Sequence, residues 1–435
     1  MAERDLGPKT FVVSHKRAGL GRNSPPRLPT SPIHKLIRRV QDYLYLPKAD
    51  PFYVMLGAVV GNMMRGAPVW IVFVGPASSG KTVKLESLDG LKPPKDKTTC
   101  RALEPGVHII GGIKGPAALL SGTGRKDTGH GATGGVLKEI GTRGIMVMKD
   151  FSTMLAINKD ALGESIDALR QIFDGRYDRP LGTDGGKRIE WRGKIGFIAA
   201  STPAIDQHHK HIADLGERWM YYRYNASDGY GETIKALGVS DPDAMMSEMR
   251  ALVTVYFEEL GVEWDEPARD LEGHEANRIF AIAAFVTTAR SLVPRNPYQH
   301  YEICDLPSRE GPPRMATQLR QLYLGLERAG VEEEKRWELV GRVGWDSIKQ
   351  SRARVIEVVE KEKVAGMERI RALTPFGKHT TEHMLEDLVV HGILETAEKT
   401  ENVRGEPVKF GWRLTAWAAE HIEMGWGGIA NGRGN

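Results

Sequence analysis

The chain is poor in cysteine: its 435 residues hold two, Cys100 and Cys304, far apart and in no C-x-x-C spacing. That excludes a disulfide framework and a cysteine-built zinc cluster, and it fits a reducing cytosol. Long apolar runs are missing too. Stretches such as 280–286 fall far short of the roughly 20 residues that cross a bilayer, so no membrane partner is expected. The first residues carry no apolar segment like the core of a signal peptide, so secretion is not expected and the cytoplasm is the expected location. An excess of either charge is also lacking, since 60 Lys and Arg against 56 Asp and Glu leave a net charge of +4. Any contact with nucleic acid must therefore come from local patches.

The apolar share is 41%, with 49 glycines beside it, which lies in the globular range and excludes wholesale disorder. At roughly 150 residues per domain, the length implies about three units. Residues 1–30 hold Pro8, Pro25, Pro26, Pro29 and six Lys/Arg against Glu3 and Asp5 with no apolar period, and read as a disordered basic tail. Over 31–228, helical patterns at 33–44 and 54–64 lead into a strand at 69–74 and further short apolar strands near 107–110, 144–148 and 195–200. That alternation predicts an α/β sheet with helices on its faces. Over 229–346 the strand signal disappears, and 244–260, 275–292 and 314–329 carry helical periods. Residues 347–423 give short helices and then two strand-like pieces around Arg404-Gly405, while 424–435 read as a flexible tail.

Residues 75–82, Gly-Pro-Ala-Ser-Ser-Gly-Lys-Thr, match G-x-x-x-x-G-K-S/T between a strand and a helical stretch. In that context the loop is a phosphate cradle. Gly75 and Gly80 let the backbone wrap, so that N–H groups along Ser78, Ser79 and Gly80 point at phosphate oxygens, and the following helix adds the positive end of its dipole. Lys81 is expected on the β and γ phosphates and the Thr82 hydroxyl on Mg²⁺, making ATP and Mg²⁺ the expected cofactors. The metal needs a carboxylate at the end of a second apolar strand, and Asp150 after 145–148 supplies it. Lys149 and Phe151 flank that single acid where an Asp-Glu pair is usual. Either hydrolysis is slow or the base comes from elsewhere, Glu139 being one candidate.

With these pieces in order, residues 50–330 resemble the AAA+ ATPases, and within them the clade of minichromosome-maintenance helicases, enhancer-type activators and related phage replication ATPases. The stretch from Ala168 to Arg176, the segment 182–188 and the strand 195–202 look like that clade's helix, hairpin and sensor-1 strand. The resemblance implies that Ser201 or Thr202 watches the γ-phosphate. Leu215-Gly-Glu-Arg-Trp219 looks like an arginine-finger turn, implying that Arg218 reaches into a neighbouring subunit of a ring, a homo-hexamer by analogy. Pro313-Arg314-Met-Ala-Thr-Gln-Leu319 looks like a sensor-2 helix start, implying that Arg314 touches nucleotide. Plain alternatives stay open: Arg218 in an ion pair with Asp214 or Glu217, and Arg314 on a solvated helix face.

DNA is the expected macromolecular partner. Between Arg176 and Lys194 stand six Lys/Arg and three Asp/Glu around Gly185-Gly186. The resembled hairpin projects into a ring pore, where Lys187 and Arg188 would grip phosphates, and an ordinary solvated hairpin is the other reading. The glycine-rich stretch 121–135 is a second loop free to move. His208, His209 and His211 match no standard metal spacing and read as a polar loop. The C-terminal segment resembles a winged helix-turn-helix in which Lys378, His379, Thr380, Thr381 and His383 would face the major groove. Against that, 371–435 hold seven Lys/Arg and nine Asp/Glu, and such modules also dock proteins.

The expected fold class is therefore α/β: an AAA+ P-loop NTPase core over 31–228, a helical lid domain over 229–346 and a C-terminal winged helix over 347–423. The expected function is a DNA-associated ATPase acting as replication initiator, helicase or helicase loader of a phage or mobile element, with a replicative helicase or other replication protein as a further partner. The alternative is an ATP-switched transcription regulator that binds DNA through the winged helix.

Overall fold

The computed structural model describes residues 31–96, 101–121, 134–180, 188–208, 218–224, 229–296, 301–402, 404–405 and 407–427. The basic tail over 1–30, most of the glycine-rich loop, Lys187, His209, His211 and 428–435 lie outside the described residues.

A five-stranded parallel sheet runs in the order β2-β3-β6-β1-β7, with β1 Trp70–Val74, β2 Val107–Ile110, β3 Arg143–Met148, β6 Lys194–Ser201 and β7 Met220–Arg223. Between β3 and β6 the chain forms an antiparallel hairpin, β4 Arg176–Pro180 with β5 Arg188–Arg192. Every residue of β1 is apolar and buried, as expected of a parallel strand covered on both faces. Successive side chains turn to opposite faces. Ile71 and Phe73 join Ile145, Val147 and Ile198 in one core, whereas Trp70, Val72 and Val74 join Met146, Phe197 and Trp219 in the other.

The first core is covered by helices. Helix α1 (Pro32–Tyr43) starts with Pro at its first position and buries Ile33, Leu36, Ile37 and Val40 on one stripe. Helix α2 (Asp50–Met63) is apolar almost all round, because it lies between the sheet and a later helix. The second core is closed by helix Lys159–Phe173 and by Tyr177 and Trp191 of the β4–β5 hairpin.

The expected helical region follows as α5 (Tyr230–Leu237), α6 (Pro242–Leu260), α7 (Gly273–Arg290), α8 (Pro313–Arg328) and α9 (Glu333–Asp346), counting α3 (Lys81–Ser87) and α4 (Lys159–Phe173) before them. Next come α10 (Gln350–Glu362), α11 (Met367–Leu373), α12 (Lys378–Val390), the hairpin β8 (Leu394–Glu401) with β9 (Pro407–Leu414), and α13 (Ala416–Trp426).

Three features depart from the sequence expectations. Strand β7 was not anticipated. It is an edge strand of four residues, and α9 covers its free side: the Tyr221 N–H donates to Ser347 Oγ at 2.9 Å and the Arg223 N–H to Asp346 Oδ2 at 2.7 Å. The tail assigned to 424–435 begins too early, because α13 continues to Trp426, whose buried indole donates to Gly341 O at 2.9 Å and packs edge-on against Phe285 and Trp345. The segments 31–228, 229–346 and 347–423 also share one core, which runs from Ile33 through Phe285, Val343 and Leu388 to Trp426.

Candidate functional site

Strand β1 ends at Val74, and the chain turns at Gly75, where an added Cβ would stand 2.8 Å from Cβ of Tyr224. The loop passes Ser78, which holds φ 63°, and Gly80, which holds φ 67°, before α3 begins at Lys81. Left-handed backbone is costly for a residue with a Cβ, so Ser78 stores strain that Gly80 avoids. Lys81 is buried, with Nζ donating to Gly75 O at 2.8 Å, to Ser79 Oγ at 3.0 Å and to Pro76 O. Burial lowers its proton affinity, and the charge of Asp150 opposes that shift. Thr82 stands exposed at the rim. Gly75, Ser78, Ser79, Gly80, Lys81 and Thr82 thus form one continuous loop at the C-terminal end of β1.

Because β6 lies between β1 and β3, their parallel ends bring Ser201 and Thr202 between this loop and Asp150. The Gly75 N–H donates to Ser201 O at 3.1 Å. Ser152 Oγ stands 3.3 Å from Ser201 Oγ and 3.5 Å from Thr202 Oγ1, forming a hydroxyl cluster. Asp150 follows β3 with its carboxylate exposed, and Oδ1 accepts the Ser152 N–H at 2.9 Å. Lys149 points away from it to Glu86 of α3, at 2.7 Å. Glu139 is elsewhere: it precedes β3, a strand roughly 17 Å long at 3.3 Å per residue, and it pairs with Lys95. It is not the base for a reaction beside Asp150.

A cavity of 690 Å³ opens next to the loop, walled by Tyr45 and Leu46 of the α1–α2 connection, Tyr224 after β7, and Val239 and Met245 near α6. Two buried cations in its wall escaped the sequence reading. Lys84 is buried, its Nζ 3.3 Å from the carbonyls of Ser79 and Gly80 and 5.2 Å over the Tyr224 ring. Burial pulls its pKa to about 8, Lys81 pushes the same way, and Glu232 opposes. Arg342 of α9 lies 4.5 Å over the Tyr222 ring and donates to Arg223 O at 2.8 Å. Tertiary packing alone makes these groups part of the site, and the only local trace of it is the run of tyrosines at 43, 45, 222 and 224.

Arg218 and Arg314 lie elsewhere. Arg218 precedes β7 at the N-terminal edge of the sheet, buried, 3.4 Å from Asp174 and 5.8 Å over the Phe173 ring. Burial lowers its proton affinity and the nearby Arg314 lowers it further. Gln318, one turn after Arg314, joins the two: its amide donates to Arg218 O at 2.9 Å and accepts the Trp70 N–H at 3.0 Å. Trp70 begins β1 and the loop ends it, about 13 Å away at 3.3 Å per residue. Arg314, paired with Glu310 at 3.7 Å, therefore does not reach the loop of its own chain.

The surfaces assigned to DNA divide as well. On the hairpin, Arg188 is exposed and 3.3 Å from Asp178. On α12, Lys378 and Thr380 are exposed, with Lys378 3.7 Å from Glu382. Thr381 is fully buried, its hydroxyl donating to Gly377 O at 3.0 Å, so it is a packing residue and not a base contact. His383 is partly covered, its carbonyl accepting from Arg295 and its ring 5.9 Å from Tyr301. His208 closes a short 3-10 segment, and among the described residues no group of three or more His, Cys, Asp or Glu could hold a metal ion. Compared with known proteins, the chain matches no protein family and no curated protein.

Proposed function

We propose that this chain binds and hydrolyses ATP with Mg²⁺ as a DNA-associated, AAA+-type ATPase. One observation carries the reading: a G-x-x-x-x-G-K-T loop, a hydroxyl cluster and a lone carboxylate occupy three adjacent strand ends, and the loop borders a 690 Å³ cavity. The residues fit the nucleotide chemically. Among the described residues, Lys81 is a buried ammonium satisfied by loop carbonyls and a hydroxyl alone, so phosphate oxygens would be stronger acceptors for it. Thr82 and Asp150 would hold Mg²⁺, which neutralises phosphate charge when bound. Ser201 and Thr202 stand where a polar side chain can orient a γ-phosphate or a water.

Arg218 and Arg314 cluster at the sheet edge opposite their own loop, which favours action on a second copy's nucleotide and hence a closed ring, with a homo-hexamer expected. An arginine supplied in trans stabilises charge on the transferred phosphoryl group. Within this reading the chain is a replication initiator, helicase or helicase loader of a phage or mobile element. The order α10, α11, α12, β8, β9 supports a winged helix-turn-helix at the C-terminal end. Its surface counts against the rival reading as a duplex-reading transcription regulator, because Glu382 and Glu386 share the accessible side of α12 with Lys378. Calorimetric titration with Mg-ATP tests the core claim: the parent should bind and Lys81→Ala should not. ATPase rates with and without single- and double-stranded DNA test the DNA claim, and a rate indifferent to both would remove it.

A further inference from the structure

Lys84 has no place in the phosphate-loop motif, yet its ammonium is buried beneath that loop. It stands 3.3 Å from two carbonyls, those of Ser79 and Gly80. The two carbonyls belong to peptide units whose N–H groups are those of Gly80 and Lys81. In a planar trans peptide the C=O and N–H point in opposite directions, so a cation that holds the carbonyls on one side directs the two N–H groups to the other. Lys81 holds a different part of the loop, the carbonyls of Gly75 and Pro76. The two ammonium groups therefore hold different carbonyls of the loop, Lys81 those of Gly75 and Pro76 and Lys84 those of Ser79 and Gly80, the last of which also accepts the Lys84 backbone N–H at 3.3 Å.

The surroundings keep Lys84 in place. The Tyr224 ring lies 5.2 Å from Nζ, and the Tyr224 backbone is joined to β1 by an N–H donated to Val74 O at 2.8 Å. Glu232 of α5 adds a favourable charge. Gly80 leaves the room required: a Cβ there would come within 3.1 Å of Nζ. The two lysines differ in what a ligand does to them. An anion in the loop would draw Lys81 off its carbonyls, whereas the carbonyls that Lys84 holds face away from the anion and would keep their partner.

We propose that Lys84 is a positioning residue of the phosphate site: its ammonium, tied to the carbonyls of Ser79 and Gly80, aims the Gly80 and Lys81 N–H groups at the bound phosphate. The proposal rests on the reading of the loop as a nucleotide cradle. Its consequence is a division of effects, in which loss of the Lys84 charge weakens nucleotide binding because two donors lose their direction. The chemical step, which depends on Asp150 and the groups around it, changes less.

The experiment uses the full chain, with steady-state ATPase kinetics and Mg-ATP titration of the parent, Lys81→Ala, Lys84→Met and Lys84→Arg, each first checked for a cooperative thermal melt. Methionine keeps most of the side chain's length and volume and removes the charge. The expected result is a KM and a Kd for Mg-ATP raised about tenfold in Lys84→Met, because the Gly80 and Lys81 N–H donors are misdirected and not removed, with kcat lowered less than about threefold. Lys84→Arg, which keeps a cation with several donors, should recover most of the affinity. Unchanged KM and Kd in a folded Lys84→Met overturn the proposal, as does a fall in kcat at unchanged KM. If Lys84→Met does not fold, Lys84→Gln is read against the same two outcomes. A parent that binds no Mg-ATP overturns the cradle reading and this proposal together. A parent whose binding is lost in Lys81→Ala but kept in Lys84→Met overturns this proposal alone.

Discussion

His108 on β2 is buried, and neither of its ring nitrogens has a hydrogen-bond partner among the described residues. Burial, reinforced by Lys95, pushes its pKa down to about 4 from the ordinary 6.5. The unfolded chain therefore takes up this proton first as acid is added. The stabilisation is fully present above about pH 6.5 and is lost as the pH falls toward 4, amounting to at most about 3 kcal/mol for this group. His391, buried and likewise pushed down to about 4, adds in the same direction. Thermal melts from pH 7 to pH 4 should show that loss, and His108→Phe should flatten part of it; a parallel slope in that variant would assign the acid sensitivity elsewhere. At the site, Asp150→Asn should lower turnover by about 100-fold while changing Mg-ATP affinity less than about tenfold, because under the proposed function the carboxylate serves the metal and the chemistry more than the phosphate grip. Equal turnover in the variant and the parent would move the metal-side acid to another residue. The loop and Asp150 were legible because each is local, a contiguous motif and an acid after an apolar strand. Lys84 and Tyr224 were not, since a lysine inside a helix reads as solvated until the fold buries it.

At the scale of elements, α2 and α8 approach so closely that glycine is required on both. A Cβ at Gly325 would lie 2.6 Å from the Gly61 backbone nitrogen, and one at Gly61 would lie 2.7 Å from Gln321 O. The obstacles are backbone atoms, which cannot swing aside as a side-chain tip can. Gly325→Ala is therefore expected to cost about 3 kcal/mol, at the upper end of ordinary overpacking, and to lower the denaturation midpoint without changing the slope. A midpoint at or above the parent value would mean that the helices separate cheaply. The long helices α6, α7 and α8 were readable from their apolar period. Strand β7 was not, because four residues are too few to show a period and its edge is covered by Asp346 and Ser347 from a distant helix. Helix α13 was mistaken at its end because the glycines around 425–428 look like a tail, and only the pocket formed by Phe285 and Trp345 explains why Trp426 is ordered there.

At the scale of the whole molecule, the C-terminal unit is held to the rest by buried charge as well as by apolar packing. Arg352 of α10 donates to the carbonyls of Ala289 and Ser291 at 2.8 and 2.6 Å and pairs with Asp387 of α12 at 2.7 Å, and Arg295 reaches the same carboxylate at 2.6 Å. Cutting the chain near residue 366 would leave those arginines without their acid and open the core around Trp345, so its role in DNA binding is better tested by surface changes than by deletion. The same geometry sets the final prediction. The 75–82 loop and the Arg218–Arg314 cluster occupy opposite ends of β1, so under the proposed ring a head-to-tail neighbour, and not the same chain, would supply the arginine to a nucleotide in the loop. Lys81→Ala and Arg218→Ala chains should each be inactive alone. Mixed, they should regain part of the parental ATPase rate, because some interfaces then pair an intact loop with an intact arginine. Because Arg218 is buried beside Asp174 and Phe173, the Arg218→Ala chain must first melt like the parent, so that a folding defect is not read as a catalytic one. A mixture that stays as inactive as its components, with a monomeric mass in the presence of Mg-ATP, would confine Arg218 to its ion pair with Asp174 and remove the ring.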